Sequence, residues 1–177
     1  VGFMFAPNHH SAMKHAAPVR KELGVRTLFN LLGPLTNPAN AQNQLLGVFD
    51  RSLTAKLAQV LHKLGSRHVL VVHGADGMDE ISISAPTFVA ELRDGKVNEY
   101  TLQPEDFGLK SAALNDIRVA DADEARNMLL GVLDGKAGAA RDIVLLNAGA
   151  AIYVAGLTYT LADGVKMATQ TLDSGAA

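Results

Sequence analysis

The chain has 177 residues, of which 48% are hydrophobic and 19% are charged, an ordinary composition for a globular protein with one sizeable core. It contains no cysteine, so disulfides, thiolate catalysis and cysteine-ligated zinc are excluded. Its net charge of −2 argues against a general polyanion-binding protein. No apolar run reaches the length of a membrane span, so we expect no membrane partner.

The charges are distributed unevenly along the chain. Residues 1–36 contain four basic residues and one acidic residue, a net charge of +3, so residues 37–177 carry −5. A small basic segment attached to an acidic body suits an anionic small ligand better than a nucleic acid. The chain opens with Val1 in an apolar stretch. We therefore expect an N-terminal part of the protein to be missing.

The first part of the chain predicts a strand followed by helices. Residues 2–6 form a short apolar segment that ends at Pro7, and residues 11–23 have a helical composition, interrupted by Pro18. Proline inside a helix removes one backbone hydrogen bond, so a kink is expected there. Gly24 ends this predicted helix.

A boundary is predicted shortly afterwards. Residues 27–32 predict one or two helical turns, and the pairs Gly33-Pro34 and Asn37-Pro38 predict breaks in the chain. We place the domain boundary after residue 38. Residues 1–38 then supply a strand end and helices of a small helical domain, and residues 39–177 form an α/β domain.

The second part begins with alternating strands and helices. Residues 44–49 and 68–73 predict strands, and the second is apolar throughout its centre, as expected for a strand covered on both faces. Between them, leucine and valine recur on one helical face from residue 53 to 64. Ser52 is the predicted N-cap of this helix, and Gly65 the predicted stop.

The rest of the chain predicts a hairpin and three helices. Two strand segments flank Asp94-Gly95, a dipeptide typical of hairpin turns. Amphipathic helices are predicted after the capping residues Asp121 and Thr160, and the alanine-rich run at 143–157 favours a buried helix over a strand. Together these elements predict an α/β fold with a largely parallel sheet flanked by helices.

One acidic segment could bind a cation. Residues 73–80, with the sequence HGADGMDE, follow a predicted buried strand and contain Asp76, Asp79 and Glu80. Carboxylate oxygens are the ligands that Mg²⁺ prefers. The spacing does not match the twelve-residue EF-hand loop. A solvated acidic turn without a metal is the alternative.

Several N-terminal residues could bind a ligand. Pro7, Asn8 and His10 lie between a predicted strand end and a helix start, where α/β proteins commonly bind ligands. Arg20 offers a planar fork that pairs with a carboxylate or a phosphate. The alternatives are turn and capping roles for the first three residues, and a solvated helix face for Arg20.

Three other polar residues suggest no chemistry by themselves. Ser82 and Ser84 are hydroxyl side chains, but nothing in the sequence places a base beside them. Asn147 lies in an apolar helical segment, where we expect it to be buried and bonded to neighbouring backbone.

Three separated motifs carry a resemblance to one family. They are the segment from Phe5 to Pro38, FAPNHHSAMKHAAPVRKELGVRTLFNLLGPLTNP, the loop HGADGMDE, and the segment NAGAA from Asn147 to Ala151. In content and order they resemble the anthranilate phosphoribosyltransferase family, and the resemblance covers essentially the whole chain. It implies a nucleoside phosphorylase-like fold, with a discontinuous helical domain joined to an α/β domain.

The resemblance also implies a reaction and roles for particular residues. The reaction is phosphoribosyl transfer from phosphoribosyl pyrophosphate to anthranilate in tryptophan biosynthesis. Arg20 would face the anthranilate carboxylate, and His10 would line the anthranilate channel, with Asn8 and Pro7 beside it. Asp79 and Glu80 would bind the Mg²⁺ that accompanies the pyrophosphate. No protein nucleophile is expected.

The sequence departs from the family in one respect. The family's glycine-rich phosphate loop and its Lys-His-Gly-Asn-type motif precede the matching region, and neither occurs in these 177 residues. We therefore expect this fragment to be inactive alone and to need the N-terminal part of the same enzyme as a partner. A homodimer in the cytoplasm is the expected assembly.

A pyrimidine nucleoside phosphorylase and a non-catalytic, nucleic-acid-binding protein are the two alternative functions. A pyrimidine nucleoside phosphorylase has a related fold, but Arg20 and the GPLTNP segment at 33–38 favour the anthranilate family. A non-catalytic, nucleic-acid-binding relative of the fold would require a broad basic surface, which the charge of −5 over residues 37–177 does not favour.

Overall fold

A computed structural model of the chain describes Glu22, Gly24, residues 29–37 and residues 39–177. The chain divides into two units, Val1–Ala41 and Gln42–Ala177. The predicted strand at residues 2–6 and nearly all of the helix predicted at 11–23 lie outside the described residues. The assignment of the first 38 residues to a separate helical domain stays a prediction.

The first unit contains one described helix, α1, at Phe29–Leu35. A chain break was predicted at Gly33-Pro34, and this prediction is wrong because α1 continues through both residues to Leu35. Pro34 cannot donate a backbone hydrogen bond, but its fixed φ is compatible with a helix. The backbone N–H and the hydroxyl of Thr36 both donate to the Leu32 carbonyl, at 3.0 and 2.9 Å, and close the last turn.

The second unit is built on a four-stranded sheet in the order β1-β2-β3-β4. The strands are β1 (Asn43–Gly47), β2 (His68–Gly74), β3 (Thr87–Arg93) and β4 (Lys96–Leu102). The β1–β2 pair is parallel, and the other two pairs are antiparallel. The α/β class is confirmed, but within the described sheet only the first pair is parallel. The cause is that no helix crosses between β2 and β3 or between β3 and β4.

Four helices accompany the sheet. They are α2 (Thr54–Lys63), α3 (Ala122–Leu133), α4 (Ala139–Val154) and α5 (Leu161–Asp173), and short 3-10 turns lie at Arg51–Leu53, Pro104–Phe107 and Leu114–Ile117. Helix α2 links β1 to β2 and packs on β2 and β3, whereas α4 packs on β1, β2 and α5. None of the helices in the described part of the chain combines the length and apolar character required for a membrane span.

Two of the three predicted N-caps, Asp121 and Thr160, are confirmed, and the third, Ser52, is wrong. Asp121 and Thr160 each accept a hydrogen bond from the backbone three residues later, as expected for N-caps. Ser52 was the predicted cap of α2, and this is wrong because a 3-10 turn precedes the helix. Asp50 caps that turn by accepting the Ser52 N–H at 2.8 Å.

The core lies on both faces of the sheet. Residues 69–72 of β2 are fully buried, which confirms that this apolar strand is covered on both sides. On one face Leu70, Val72 and Val89 pack with residues of α4 and α5, including Leu146 and Val165. The Asp94-Gly95 turn has positive φ at both residues, as a type I′ hairpin requires.

Helices α4 and α5 approach each other closely through two glycines. A β-carbon on Gly149 would lie 2.5 Å from the Val165 backbone nitrogen, and one on Gly164 would lie 2.2 Å from the Gly149 carbonyl oxygen. Neither distance is possible for real atoms, so both positions require glycine. This contact fixes the middle of α4 against α5.

The end of α4 is tied to the sheet by a polar network around Glu91. The Tyr153 hydroxyl donates to Glu91 Oε1 at 2.7 Å, and the Tyr100 hydroxyl donates to Oε2 at 3.0 Å. His68 Nε2 lies 2.9 Å from the same carboxylate, and Arg93 Nη1 donates to the Tyr153 oxygen at 2.8 Å. Burial and the Glu91 carboxylate raise the pKa of Tyr153 above its ordinary value. The hydroxyl of Tyr153 therefore stays protonated and can donate to Glu91.

Candidate active site

The acidic segment predicted from sequence lies in the loop between β2 and β3, which we call the acidic loop (residues 75–86). It begins at the carboxyl end of β2, beside the carboxyl end of the parallel strand β1. In α/β sheets this edge is where ligands bind. Val48, directly after β1, donates its N–H to the Val72 carbonyl at 2.9 Å and holds the two strand ends together.

The first half of the acidic loop is a tight turn. Gly74 donates its N–H to the Met78 carbonyl at 2.8 Å, and Gly77 donates back to the Gly74 carbonyl at 2.9 Å. Gly77 has a φ of 93°, a conformation that favours glycine. Ala75 donates to the Pro86 carbonyl at 2.8 Å, so the two ends of the loop are joined.

Asp76 organises the interior of the acidic loop. Its Oδ2 accepts hydrogen bonds from the hydroxyls of Ser82, at 2.6 Å, and of Ser84, and its Oδ1 accepts from the Met78 N–H at 3.2 Å. Partial burial opposes ionisation of Asp76, but the hydrogen bonds from Ser82, Ser84 and Met78 outweigh it and lower the pKa. Ser82 is only 1% exposed, so its hydroxyl is not open to a substrate. The arrangement is structural.

We expect Asp76→Asn to reduce stability in a pH-dependent way. The lowered pKa means that the ionised carboxylate contributes stability above the ordinary carboxyl range, which is lost as the pH falls through the pKa of folded Asp76. At neutral pH the variant should lose about 1–2 kcal/mol of unfolding free energy. Denaturant unfolding at pH 7 and below pH ~4 measures this. Asp94→Asn, in the exposed hairpin turn, is the matched control. A penalty that does not shrink in acid would contradict the assignment.

The next residue of interest, Asp79, is held through its backbone. A β-carbon on Gly47 would lie 1.4 Å from the Asp79 carbonyl oxygen and 2.4 Å from its carbonyl carbon. The Asp79 peptide therefore occupies the space that any other residue at position 47 would fill. The end of β1 therefore packs directly against the backbone of the acidic loop.

A second anchor comes from α4. The Ile81 N–H donates to Asn147 Oδ1 at 3.0 Å, and Asn147 Nδ2 donates to the Ile81 carbonyl at 2.9 Å. The same nitrogen donates to the Ile143 carbonyl at 3.0 Å. Asn147 was expected to be buried and to bond with nearby backbone. It is only half-buried, but it does bond with backbone, both within its helix and in a loop 66 residues earlier in the chain.

The two carboxylates between these anchors face solvent. Asp79 and Glu80 are both exposed. Partial burial of the Glu80 carboxyl, and then the Asp79 charge beside it, raise the pKa of Glu80. The Asp79 charge opposes ionisation of Glu80, and a bound cation would relieve that repulsion.

The number of carboxylates limits what this pair can bind. Across the described residues there is no cluster of three or more histidine, aspartate and glutamate side chains placed for a metal ion. Mg²⁺ does not require such a cage, because it commonly keeps several waters and binds one or two carboxylates together with substrate phosphates. Asp79 and Glu80 fit this mode of binding.

The acceptor-side residues predicted from sequence are not described. Pro7, Asn8, His10 and Arg20 all lie outside the described residues. Their roles stay predictions. Sequence reasoning missed two supports, namely Gly47 and the Ile81 contact of Asn147. It considered Asp76 a possible cation ligand, whereas the structure shows its carboxylate bonded to Ser82, Ser84 and Met78 within the loop.

Comparison with known proteins identifies the family. The model of the glycosyl transferase family, a/b domain, matches residues 1–177. The anthranilate phosphoribosyltransferases of Nitrosomonas eutropha and Thiobacillus denitrificans are 66% and 60% identical over all 177 residues, which cover 52% of each relative. The chain thus spans about half the length of the curated relatives it matches.

Solved structures agree with this match. The anthranilate phosphoribosyltransferase of Thermus thermophilus is 45% identical, with a TM-score of 0.86 over 94% of this chain and 49% of that one. The enzyme of Saccharomyces cerevisiae in complex with PRPP and Mg is 28% identical, with a TM-score of 0.81 over 94% of this chain and 48% of that one. The chain therefore belongs to the glycosyl transferase family whose a/b domain matches it from the first residue to the last.

Proposed function

We propose that the full-length protein is an anthranilate phosphoribosyltransferase, which moves the phosphoribosyl group of phosphoribosyl pyrophosphate onto the amine of anthranilate. The observation that carries the proposal is the exposed Asp79–Glu80 pair on an anchored loop at the carboxyl end of β1 and β2. A relative with this name shares 66% identity over the whole chain. Related yeast structures contain PRPP with Mg, or 4-fluoroanthranilate.

The reaction breaks the bond between the anomeric carbon and the pyrophosphate oxygen, forms a bond from that carbon to the amine nitrogen, and releases one proton from the amine to solvent. Negative charge develops on the pyrophosphate as it leaves. Bound Mg²⁺ would neutralise that charge as a Lewis acid. Asp79 and Glu80 would hold the ion through their carboxylate oxygens. Their backbone is anchored before the reaction begins, so little reorganisation is needed at this point.

Arg20 and the residues near it would act on the acceptor. The guanidinium of Arg20 would pair with the anthranilate carboxylate and orient the amine towards the anomeric carbon. His10, Asn8 and Pro7 would line the channel through which anthranilate enters. In this proposal catalysis depends on positioning and electrostatics, and no side chain forms a covalent intermediate.

We expect Arg20→Lys in the full-length protein to raise the KM for anthranilate roughly tenfold, with a smaller effect on the KM for the donor. Lysine keeps the charge but loses the planar fork, and a hydrogen bond to a charged group contributes about 1.5–3 kcal/mol. Initial rates at varied anthranilate and fixed donor measure the effect. Arg26→Lys, in the same basic segment, is the control. A normal KM for anthranilate with a raised KM for the donor would assign Arg20 to phosphate.

A substrate panel tests the proposed reaction as a whole. The full-length protein is incubated with Mg²⁺ and either anthranilate plus phosphoribosyl pyrophosphate, or a pyrimidine nucleoside plus inorganic phosphate. Pyrophosphate release that depends on anthranilate supports the proposal. Phosphorolysis of the nucleoside without anthranilate-dependent release would contradict it. The homodimer and the cytoplasmic location stay predictions, as does the inactivity of residues 1–177 by themselves.

A further inference from the structure

The contact between Asn147 and Ile81 is a complete pairing of one side-chain amide with one backbone residue. The amide oxygen accepts the Ile81 N–H at 3.0 Å, and the amide nitrogen donates to the Ile81 carbonyl at 2.9 Å. Ile81 belongs to no strand, so neither of these backbone groups has a partner in the sheet. The Asn147 side chain therefore makes with Ile81 the two hydrogen bonds that a neighbouring strand would otherwise make.

The contact with Asn147 fixes the chain next to the carboxylate pair, because Ile81 is the neighbour of Glu80. Ile81 directly follows Glu80, is only 2% exposed, and belongs to the core on the face where α4 packs. Directly before Glu80, the carbonyl group of Asp79 packs against Gly47. The backbone of the carboxylate pair is thus fixed immediately before and immediately after Glu80.

Asn147 itself is held in place by the structure around it. It lies on the 16-residue helix α4, and its nitrogen also bonds to the Ile143 carbonyl one turn earlier. Two residues later, Gly149 makes the close contact with Val165 and Gly164 of α5. Because Asn147 is held in this way, its two hydrogen bonds to Ile81 fix the backbone of the acidic loop relative to helix α4.

We propose that Asn147 is a positioning residue for the Asp79–Glu80 carboxylate pair, which it holds in the arrangement that binds a divalent cation with pyrophosphate. This role rests on the proposed function of the same site. Asn147 touches neither the metal nor the substrates in this account, and it acts only through the backbone of Ile81. Residues that orient metal ligands typically change metal affinity or activity about 10–100-fold when they are replaced.

The test compares three variants of the full-length protein. Asn147→Ala removes both bonds to Ile81. Asn147→Asp keeps the oxygen that accepts the Ile81 N–H and loses the donor to the Ile81 carbonyl. Tyr153→Phe is the matched control, because it removes hydrogen bonds to Glu91 and from Arg93 on the same helix without touching the acidic loop.

Two measurements do not depend on turnover. The first is Mn²⁺ affinity in the presence of pyrophosphate, measured by electron paramagnetic resonance. We expect it to fall about 10–100-fold in Asn147→Ala, to fall less in Asn147→Asp, and to change less than about twofold in Tyr153→Phe. The second is amide hydrogen exchange of the metal-free protein, in which the Ile81 amide should exchange faster in Asn147→Ala, much less so in Asn147→Asp, which keeps the acceptor, and at the wild-type rate in Tyr153→Phe.

Kinetics supply a third readout. Asn147→Ala should raise the Mg²⁺ concentration needed for half-maximal rate and lower kcat, while the KM for anthranilate stays within about twofold. Unchanged Mn²⁺ affinity in Asn147→Ala, or an equal loss in Tyr153→Phe, would overturn the proposal. If Asn147→Ala does not fold, Asn147→Asp is judged by the same criteria.

The outcomes separate this proposal from the proposed function. A wild-type protein that transfers no phosphoribosyl group to anthranilate would contradict the function, while Mn²⁺ affinity with pyrophosphate would still decide the role of Asn147. A fully active wild type whose Asn147 variants bind Mn²⁺ normally would contradict the positioning role alone.

Discussion

Replacing Asp79 or Glu80 by alanine in the full-length protein is expected to lower turnover roughly a hundredfold and to raise the Mg²⁺ requirement. A Mg²⁺ site that uses Asp79 and Glu80 loses one carboxylate ligand in either variant, and metal stabilisation of a developing charge contributes several kcal/mol. Water replaces the lost carboxylate poorly beside a negatively charged pyrophosphate. The KM for anthranilate should change little, because we propose that Arg20 and its neighbours, and not the acidic loop, bind the acceptor.

Initial rates over a range of Mg²⁺ concentrations measure this effect. Glu99→Ala, on the exposed face of β4, is the control for the loss of a surface carboxylate. Both site variants should regain part of their rate at high Mg²⁺, and the control should match the wild type throughout. An unchanged Mg²⁺ dependence in both site variants would remove Asp79 and Glu80 from the metal site.

The second large effect is expected from Gly47→Ala. The added methyl group would lie 1.4 Å from the Asp79 carbonyl oxygen, which belongs to backbone and cannot rotate away. Overpacking of this kind costs about 1–3 kcal/mol, and a clash with backbone belongs at the upper end of that range. Either the protein loses this stability, or the acidic loop shifts and the site loses its geometry.

Chemical denaturation and the Mg²⁺ titration together distinguish the two outcomes. Gly131→Ala in helix α3 is the matched control, because the nearest atom to its new methyl group would be a flexible Lys136 carbon at 3.5 Å. Alanine favours a helix over glycine by about 1 kcal/mol, so this control should not destabilise the protein. If Gly47→Ala has both the stability and the Mg²⁺ requirement of the wild type, the close contact between Gly47 and the Asp79 carbonyl group is contradicted.

The elements that local chemistry determines could be predicted from the sequence. The hairpin around Asp94-Gly95 was predicted because few dipeptides tolerate positive φ at both positions. The caps at Asp121 and Thr160 were predicted because their side chains reach the backbone three residues later. In each case the signal and its structural partner lie within a few residues.

Local signals failed where two of them competed. Ser52 and Asp50 are both good capping residues, and the 3-10 turn at Arg51–Leu53 moved the cap to the earlier one. Pro34 predicted a break, but the hydrogen bonds of Thr36 to the Leu32 carbonyl let α1 continue to Leu35. Neither outcome follows from the propensity of a single residue.

The site was predicted only in part, for a similar reason. Residue type and the place after a buried strand predict a possible cation site among Asp76, Asp79 and Glu80, and only the family resemblance singles out Asp79 and Glu80 as the metal ligands. The Asp76 contacts with Ser82 and Ser84 depend on the fold of the acidic loop, and the Asn147–Ile81 contact joins residues 66 positions apart. A single sequence contains no signal for such long-range pairings, because they arise from the packing of α4 on the sheet.

We propose a Mg²⁺-dependent transfer to anthranilate in which Asp79 and Glu80 hold the metal. The most direct test is product formation from anthranilate and phosphoribosyl pyrophosphate, titrated with Mg²⁺, in the full-length wild type and in the double variant Asp79→Ala/Glu80→Ala. We expect saturable Mg²⁺ dependence in the wild type and a large shift to higher Mg²⁺ with a much lower maximal rate in the variant. No product in the wild type, or superimposable titration curves for the two proteins, would contradict it.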